Sequence, residues 1–297
     1  MVKTRHFVST FVILLAGLLI SLPAFSHELD GVIHKIYQFS DSNVPEMDGD
    51  LTDWDHVPAE YFFDYRHHGQ AFKERGDQHN KADLHIKRVG AGWNDRLNRL
   101  YFMVEIYDNV HLFQKTPEDI EKLVSYQGGR PGDYDFVHGS DIFEVVIDAD
   151  HGGEQVMPLD KDEAEERRFR SAYTQNYHLY IPPVNGSMWL WMWGAAKWPD
   201  DPNYSDVGWR YEGLHGSSGT VTYECYLTPF DDLHPDGPEL SKLHDLTEGA
   251  IIGLSWAFLD ADTNSHAQVR FWSLTGSNEM AIRGDALVDF KLMPKIP

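Results

Sequence analysis

The chain has 297 residues, with 47 acidic side chains against 25 basic ones and a formal net charge of −22. Nucleic acids are held by Lys and Arg that neutralise phosphates, so a surface this acidic excludes them as the expected partner. Cys225 is the only cysteine. An intrachain disulfide is therefore impossible, and stability has to come from a core, which a content of 13% aromatic residues can supply.

The N-terminus reads Met1-Val2-Lys3-Thr4-Arg5-His6, followed by an apolar run from Phe7 to Leu22 and then Pro23-Ala24-Phe25-Ser26. A basic start, a short apolar stretch and small residues two apart at Ala24 and Ser26 are the pattern of a secretion signal over residues 1–26. Cleavage is expected after Ser26, giving a secreted or periplasmic product from His27 with no membrane span in its mature part. An uncleaved anchor is the competing reading, and the run is slightly short for a span. The mature chain keeps 23 basic and 47 acidic side chains, a net of −24. No Pro, Ser or Gly stretch looks like a linker, so residues 27–297 are expected to form one domain with a core over about 46–293.

Most of that domain alternates with period two between Gly, Asp, Asn and Pro boundaries, the signature of half-buried strands. The segments with this pattern are Ala82–Val89, Arg99–Tyr107, Asp141–Ala149, Asn176–Ile181, Ser187–Trp193, Trp209–Glu212, Gly219–Leu227, Ala250–Leu259, Gln268–Ser273 and Ala286–Leu292. In Arg99–Tyr107, Leu100, Phe102, Val104 and Ile106 share the face predicted to meet the core. In Asp141–Ala149 the core face is Phe143, Val145 and Ile147, with Glu144 opposite. In Gly219–Leu227 it is Val221, Tyr223, Cys225 and Leu227, which makes Cys225 a small buried apolar residue. Many short strands without alternating helices predict an all-β antiparallel sandwich, immunoglobulin-like or jelly-roll-like. Thr116–Leu123, with a capping Thr and Pro at the first helical position, predicts a short helix. Lys161–Tyr173 reads as a second short helix or an ordered loop. Both fall in insertions, near 113–137 and 151–174.

Four islands then carry a family resemblance: Met47-Asp48-Gly49-Asp50-Leu51-Thr52-Asp53-Trp54, Asn98–Asp108, Ser140–Asp148, and Thr222–Phe230. In this order and spacing the chain resembles the family 9 carbohydrate-binding modules and the wider DOMON-like sandwiches. The resemblance implies a non-catalytic module that holds a saccharide or glycan between aromatic rings, with polar groups on its hydroxyls. Glu144 matches the family's sugar-binding Glu and His178 falls where the family has a sugar-binding Arg. Asn278 matches its Asn. One sandwiching Trp is replaced by His138, with Phe136 and Tyr134 close by, and the second falls near Ala281.

Beside the resemblance, Trp189, Trp191 and Trp193 lie on one face of their strand and Met188, Leu190 and Met192 on the other. Either the Trp face is an open platform for a flat ligand or it is packing. Asp48, Asp50, Asp53 and Asp108 are candidate ligands of a calcium ion, which takes oxygen donors from turns. Relatives on this architecture also bind haem, for which Met188, Met192 and His178 are the candidates, without any Cys-x-x-Cys-His attachment. A carbohydrate-active enzyme is the third class, but no Gly-x-Ser-x-Gly elbow, phosphate loop or His-Glu-x-x-His motif singles out a catalytic residue. The sequence names no protein partner.

Overall fold

A computed structural model of the protein describes residues 28–73, 78–113, 139–156, 162–180, 190–191, 196–265 and 269–296. Fifteen strands are present among them, organised as two stacked sheets that share one strand. The first sheet runs β8 (Leu190–Trp191), β7 (Thr174–Leu179), β6 (Ile142–Asp148), β13 (Ile251–Asp260), β15 (Val288–Leu292) and β1 (Glu28–Gln38). The second continues from β1 through β4 (Leu84–Asn94), β5 (Arg99–His111) and β10 (Ser217–Leu227) to β9 (Ser205–Tyr211). Beyond this path, β14 (Arg270–Ser273) lies along the later half of β13 with β3 (Gly69–Gln70) beside it, and β2 (Phe62–Phe63) pairs with β4. A separate hairpin joins β11 (Phe230–Asp232) to β12 (Lys242–Leu243).

All described pairings are antiparallel except those of β1, which is parallel to both neighbours. Ile33–Ile36 lie against β15 in the first sheet, while Tyr37 and Gln38 lie against Gly92 and Trp93 of β4 in the second. One strand thus changes sheet along its length and closes one flank of the sandwich.

The alternation read from the sequence places the core. Phe102, Val104 and Ile106 of β5, Phe143, Val145 and Ile147 of β6, and Val221, Tyr223, Cys225 and Leu227 of β10 all point between the sheets. Cys225 is buried there as a free thiol, as expected. Trp256 sits at the centre with edge contacts to Phe63 and Phe102, and its indole N–H donates to His68 Nε2 at 2.9 Å. Full burial of such a side chain contributes about 1.5–3 kcal/mol.

Both outer faces are also covered. On the first sheet, Ile142, Val146, Ala257, Leu259 and Phe271 pack under Met280 and Leu287. On the second, Tyr101, Met103 and Tyr226 pack against Trp54, Phe39 and Tyr37. Strands buried on both faces leave few outward positions exposed.

Two sequence expectations shift. Strand β4 runs past Val89 to Asn94, because a register shift between Ile86 and Arg88 moves the inward parity from Leu84 and Ile86 to Val89, Ala91 and Trp93. Within Lys161–Tyr173 the helix is confined to α1 (Glu163–Phe169), capped by Asp162, whose Oδ1 accepts from Ala164 N and Glu165 N at 3.0 Å each. Thr116–Leu123 lies outside the described residues. No helix among the described residues is long and apolar enough to cross a membrane.

Candidate functional site

Strand β6 and the residue just before it carry carboxylates toward opposite sides of the first sheet. Glu144 points outward, as its parity predicts, but that side is covered, and Glu144 is 1% exposed. The face opposite the core is therefore closed, because Val146, Leu259 and the turn around Met280 cover it. Glu144 takes its partners from β7. Asn176 Nδ2 donates to Glu144 Oε1 at 2.7 Å and to Ala281 O at 3.1 Å, and His178 Nε2 lies 3.2 Å from the same Glu144 oxygen. Asn176 Oδ1, also buried, accepts no hydrogen bond among the described residues.

Cross-strand register extends this row, setting Ala257 opposite Glu144, Glu144 opposite His178 and His178 opposite Trp191. Asn278 is exposed at the start of the turn that covers it, and its carbonyl accepts from Ala281 N at 3.1 Å. Glu144, His178 and Trp191 thus occupy neighbouring strand positions, and Asn278 opens the turn whose Ala281 carbonyl meets Asn176. Phe136, His138, Trp189 and Trp193 lie outside the described residues, as do Met188 and Met192. Asn176 escaped the sequence reading, although it shares the parity of His178 on the same strand.

A second polar cluster fills the end of the space between the sheets. Asp108 is the inward residue near the end of β5, and Asp141 precedes the start of β6. His111 Nδ1 lies 3.0 Å from Asp141 Oδ2 and 3.4 Å from Asp108 Oδ2. Burial works against a charged imidazole, but these two carboxylates outweigh it and hold His111 at about 10. Asp141 also ties two chain segments together, accepting from Leu112 N at 2.5 Å and Ala261 N at 2.8 Å. Burial and then the Asp108 charge push Asp141 up to about 7.

At the end of β13 stand Asp260, 2% exposed, and Asp262. Arg270 Nη1 reaches Oδ2 of Asp83 at 2.8 Å and of Asp260 and Asp262 at 3.2 Å each. Asp108, His111, Asp141 and Tyr223 border a void of about 10 Å³, room for one water molecule.

The Asp48–Trp54 turn is elsewhere. It covers the outward side of β9 and β10, where Thr222 Oγ1 donates to Gly49 O at 2.7 Å. Asp108 points inward with Val104 and Ile106, so the expected grouping of Asp48, Asp50 and Asp53 with Asp108 is not formed; the sheet separates them. Arg210 already neutralises the turn, with Nη1 2.9 Å from Asp50 Oδ2 and Nη2 3.3 Å from Asp48 Oδ2. Asp53 Oδ2 accepts from Glu46 N at 2.8 Å. The turn's close seat on β9 leaves Gly208 no room for a side chain, since a Cβ would come within 2.1 Å of the Met47 carbonyl carbon.

Trp54 fixes the turn by donating its indole N–H to Glu224 Oε1 at 2.8 Å. Burial raises the Glu224 carboxyl to about 7 against that hydrogen bond. Beside Trp54 opens a hollow of about 420 Å³, lined in part by Phe62, Arg66, Lys87 and Arg88.

Among the described residues, three side-chain groups have donor atoms within 4.8 Å of one another, as metal ligands require: Asp108–His111–Asp141, Asp108–Asp260–Asp262, and Asp148–Asp150–Glu154. The last is a turn at the end of β6 in which Asp148 accepts from Gly152 N and Gly153 N.

Two sheets, a sheet-changing first strand and covered outer faces define the class: a β-sandwich with the fold of the family 9 carbohydrate-binding modules. The solved structure that carries this likeness is a carbohydrate-binding module of family 9 from Caldicellulosiruptor kristjanssonii in complex with cellotriose. It superposes with a TM-score of 0.50 at 13% identity, over 89% of this chain and 95% of that one. A family 9 module from the same organism in complex with glucose covers 89% and 96% of the two chains, with a TM-score of 0.45 and 13% identity. No protein-family model and no curated sequence matches the chain.

Proposed function

We propose that this protein is an exported module that binds a saccharide without cleaving it, with the ligand reaching the buried Glu144–Asn176–His178 row on the outer side of the first sheet by displacing the turn around Met280 that covers it. The observation that carries the reading is the row itself: a carboxylate, an amide and an imidazole in register on adjacent strands, with the acceptor Asn176 Oδ1 left unmatched. Buried polar atoms normally have partners, and a sugar hydroxyl is a donor of the right kind. Carboxylate and amide side by side is also the chemistry that grips vicinal hydroxyls. The fold supports the same reading, since it is the fold of modules solved with cellotriose and glucose. Trp191, whose strand position pairs with His178, is the proposed stacking partner for a sugar face.

The test is glycan-array screening followed by calorimetry on the mature chain. Glu144→Ala and Asn176→Ala are each expected to weaken binding at least tenfold, on the order of the 1.4 kcal/mol that one hydrogen bond to a charged group supplies. Circular dichroism checks that each variant is folded. Binding that survives both changes but falls in Arg88→Ala would move the ligand to the hollow beside Trp54. Turnover of any polysaccharide that the protein retains would replace the module with an enzyme.

A further inference from the structure

The hollow beside Trp54 lies apart from the Glu144 row, and the saccharide reading above does not use it. In a chain of net charge −22, three cationic side chains, Arg66, Lys87 and Arg88, border this one opening of about 420 Å³. Its size is that of a small-ligand pocket. A bulge in β4 brings two of the cations there. Ile86 and Val89 both point into the core, so the register shift between Ile86 and Arg88 keeps the successive residues Lys87 and Arg88 at the hollow, where strict alternation would send Arg88 inward.

The three cations are not equivalent. Lys87 Nζ donates to Glu105 Oε1 at 3.2 Å and to Thr220 Oγ1 at 3.0 Å. Arg66 is bound to Asp64, with Nη2 2.7 Å and Nε 2.9 Å from Oδ2. Arg88 stands opposite Glu105 in the ladder, but that carboxylate is turned to Lys87. The Arg88 guanidinium therefore has neither an ion pair nor a hydrogen bond among the described residues, and it lies over the Phe62 ring, 5.1 Å from the centroid. Gly90 makes room for that ring, since a Cβ there would come within 2.9 Å of it. An arginine held over an aromatic face keeps its N–H donors for another partner.

The rest of the wall supplies the other contacts that a sugar uses. His67 Nδ1 accepts from Asp64 N at 3.0 Å, so the neutral ring carries its N–H on Nε2. Asp55, exposed at the rim, has a carboxylate with no partner among the described residues. We propose that this hollow is a second ligand site, selective for an acidic saccharide whose uronate carboxylate pairs with Arg88 while its ring packs on Phe62 and its hydroxyls meet Asp55 and His67. Arginine offers a carboxylate two parallel donors, so the charged group is what the site selects. A neutral sugar leaves Arg88 without a counter-charge, and a bare inorganic anion meets the Asp55 charge with no hydroxyl to offer it.

The experiment is calorimetry on the full mature chain with oligomers of galacturonate, glucuronate and mannuronate, beside a methyl-esterified galacturonate oligomer, cellotriose and inorganic sulfate. At least one uronate oligomer is expected to bind, with an affinity that falls as salt rises. Arg88→Ala is expected to weaken it by about tenfold or more, and Arg88→Lys, which keeps the charge without the paired donors, to restore only part of the loss. Circular dichroism checks that both variants are folded. The methyl ester and cellotriose are expected to bind this site far more weakly than the acid. Uronate binding that persists in Glu144→Ala, where neutral glycans are lost, separates this site from the row. Wild-type protein that binds none of the uronates, or uronate binding that survives Arg88→Ala and is lost in Glu144→Ala, would overturn the site. Sulfate bound as tightly as the uronate would overturn its assignment to a saccharide.

Discussion

Glu144 within β6 and Asp141 just before it stand three positions apart and face opposite ways, and their surroundings differ in kind. Glu144 meets one imidazole and one amide, and the Oδ1 of that amide has no partner among the described residues. Asp141 opens into a region where five carboxylates, three of them buried, meet Arg270 and His111. Positions on either side of the pleat thus reach two different polar surroundings.

The sharpest way to break this comparison is Asp141→Ala. It orphans Leu112 N and Ala261 N and takes one carboxylate from His111, so a loss of about 3–5 kcal/mol is expected in urea denaturation. A loss under about 1 kcal/mol would show that Asp141 does not tie these segments.

Glu224 gives a comparison of a different sort, because it is a buried carboxyl with a hydrogen bond from Trp54 but no cation beside it. Its folded value near 7 lies above the ordinary 4.5, so the folded state binds the proton more tightly. That contribution is complete below about pH 4.5 and is lost as pH rises through 7, by roughly 2–3 kcal/mol. Stability curves at pH 5 and pH 8 should show this slope in the wild type and a reduced one in Glu224→Gln.

On the other side of β6, Glu144→Ala removes an acceptor from Asn176 and the carboxylate from His178. Urea denaturation should find about 1–3 kcal/mol lost, with Glu144→Gln recovering part of it. The smallest effect is expected from Arg210→Ala. Its pairs with Asp48 and Asp50 are half-exposed, so the change should stay within about 0.5 kcal/mol.

Much of the scaffold was legible because parity is local. The alternation in Arg99–Tyr107, Asp141–Ala149 and Gly219–Leu227 placed their inward residues correctly, Cys225 among them. It failed where one residue shifts the pleat, as at Lys87 in β4. It also missed β1, whose pattern is interrupted by Gly31 and a register shift before Ile33, and whose partners are parallel and distant.

The site was legible in part. Glu144 and His178 do meet, but their burial depends on the turn at Met280, which nothing local announces. Asp108 was singled out with the wrong companions, since nearness in sequence to other Asp-rich turns says nothing about which face a residue takes. A signal for its companions was present in strand order: Asp108 is the inward residue near the end of β5, β13 ends in Asp260, and Asp141 stands just before β6, the antiparallel neighbour of β13.

The sheet-changing first strand has a consequence for the order in which the molecule can be assembled. Lys35 lies beside Lys291, so the earliest described segment waits for nearly the last one. A chain emerging N-terminus first can form the β4–β5 hairpin early, yet its central seam stays open until Val288–Leu292 has been made. Truncation of the final strand should therefore leave both layers unjoined rather than merely trim an edge.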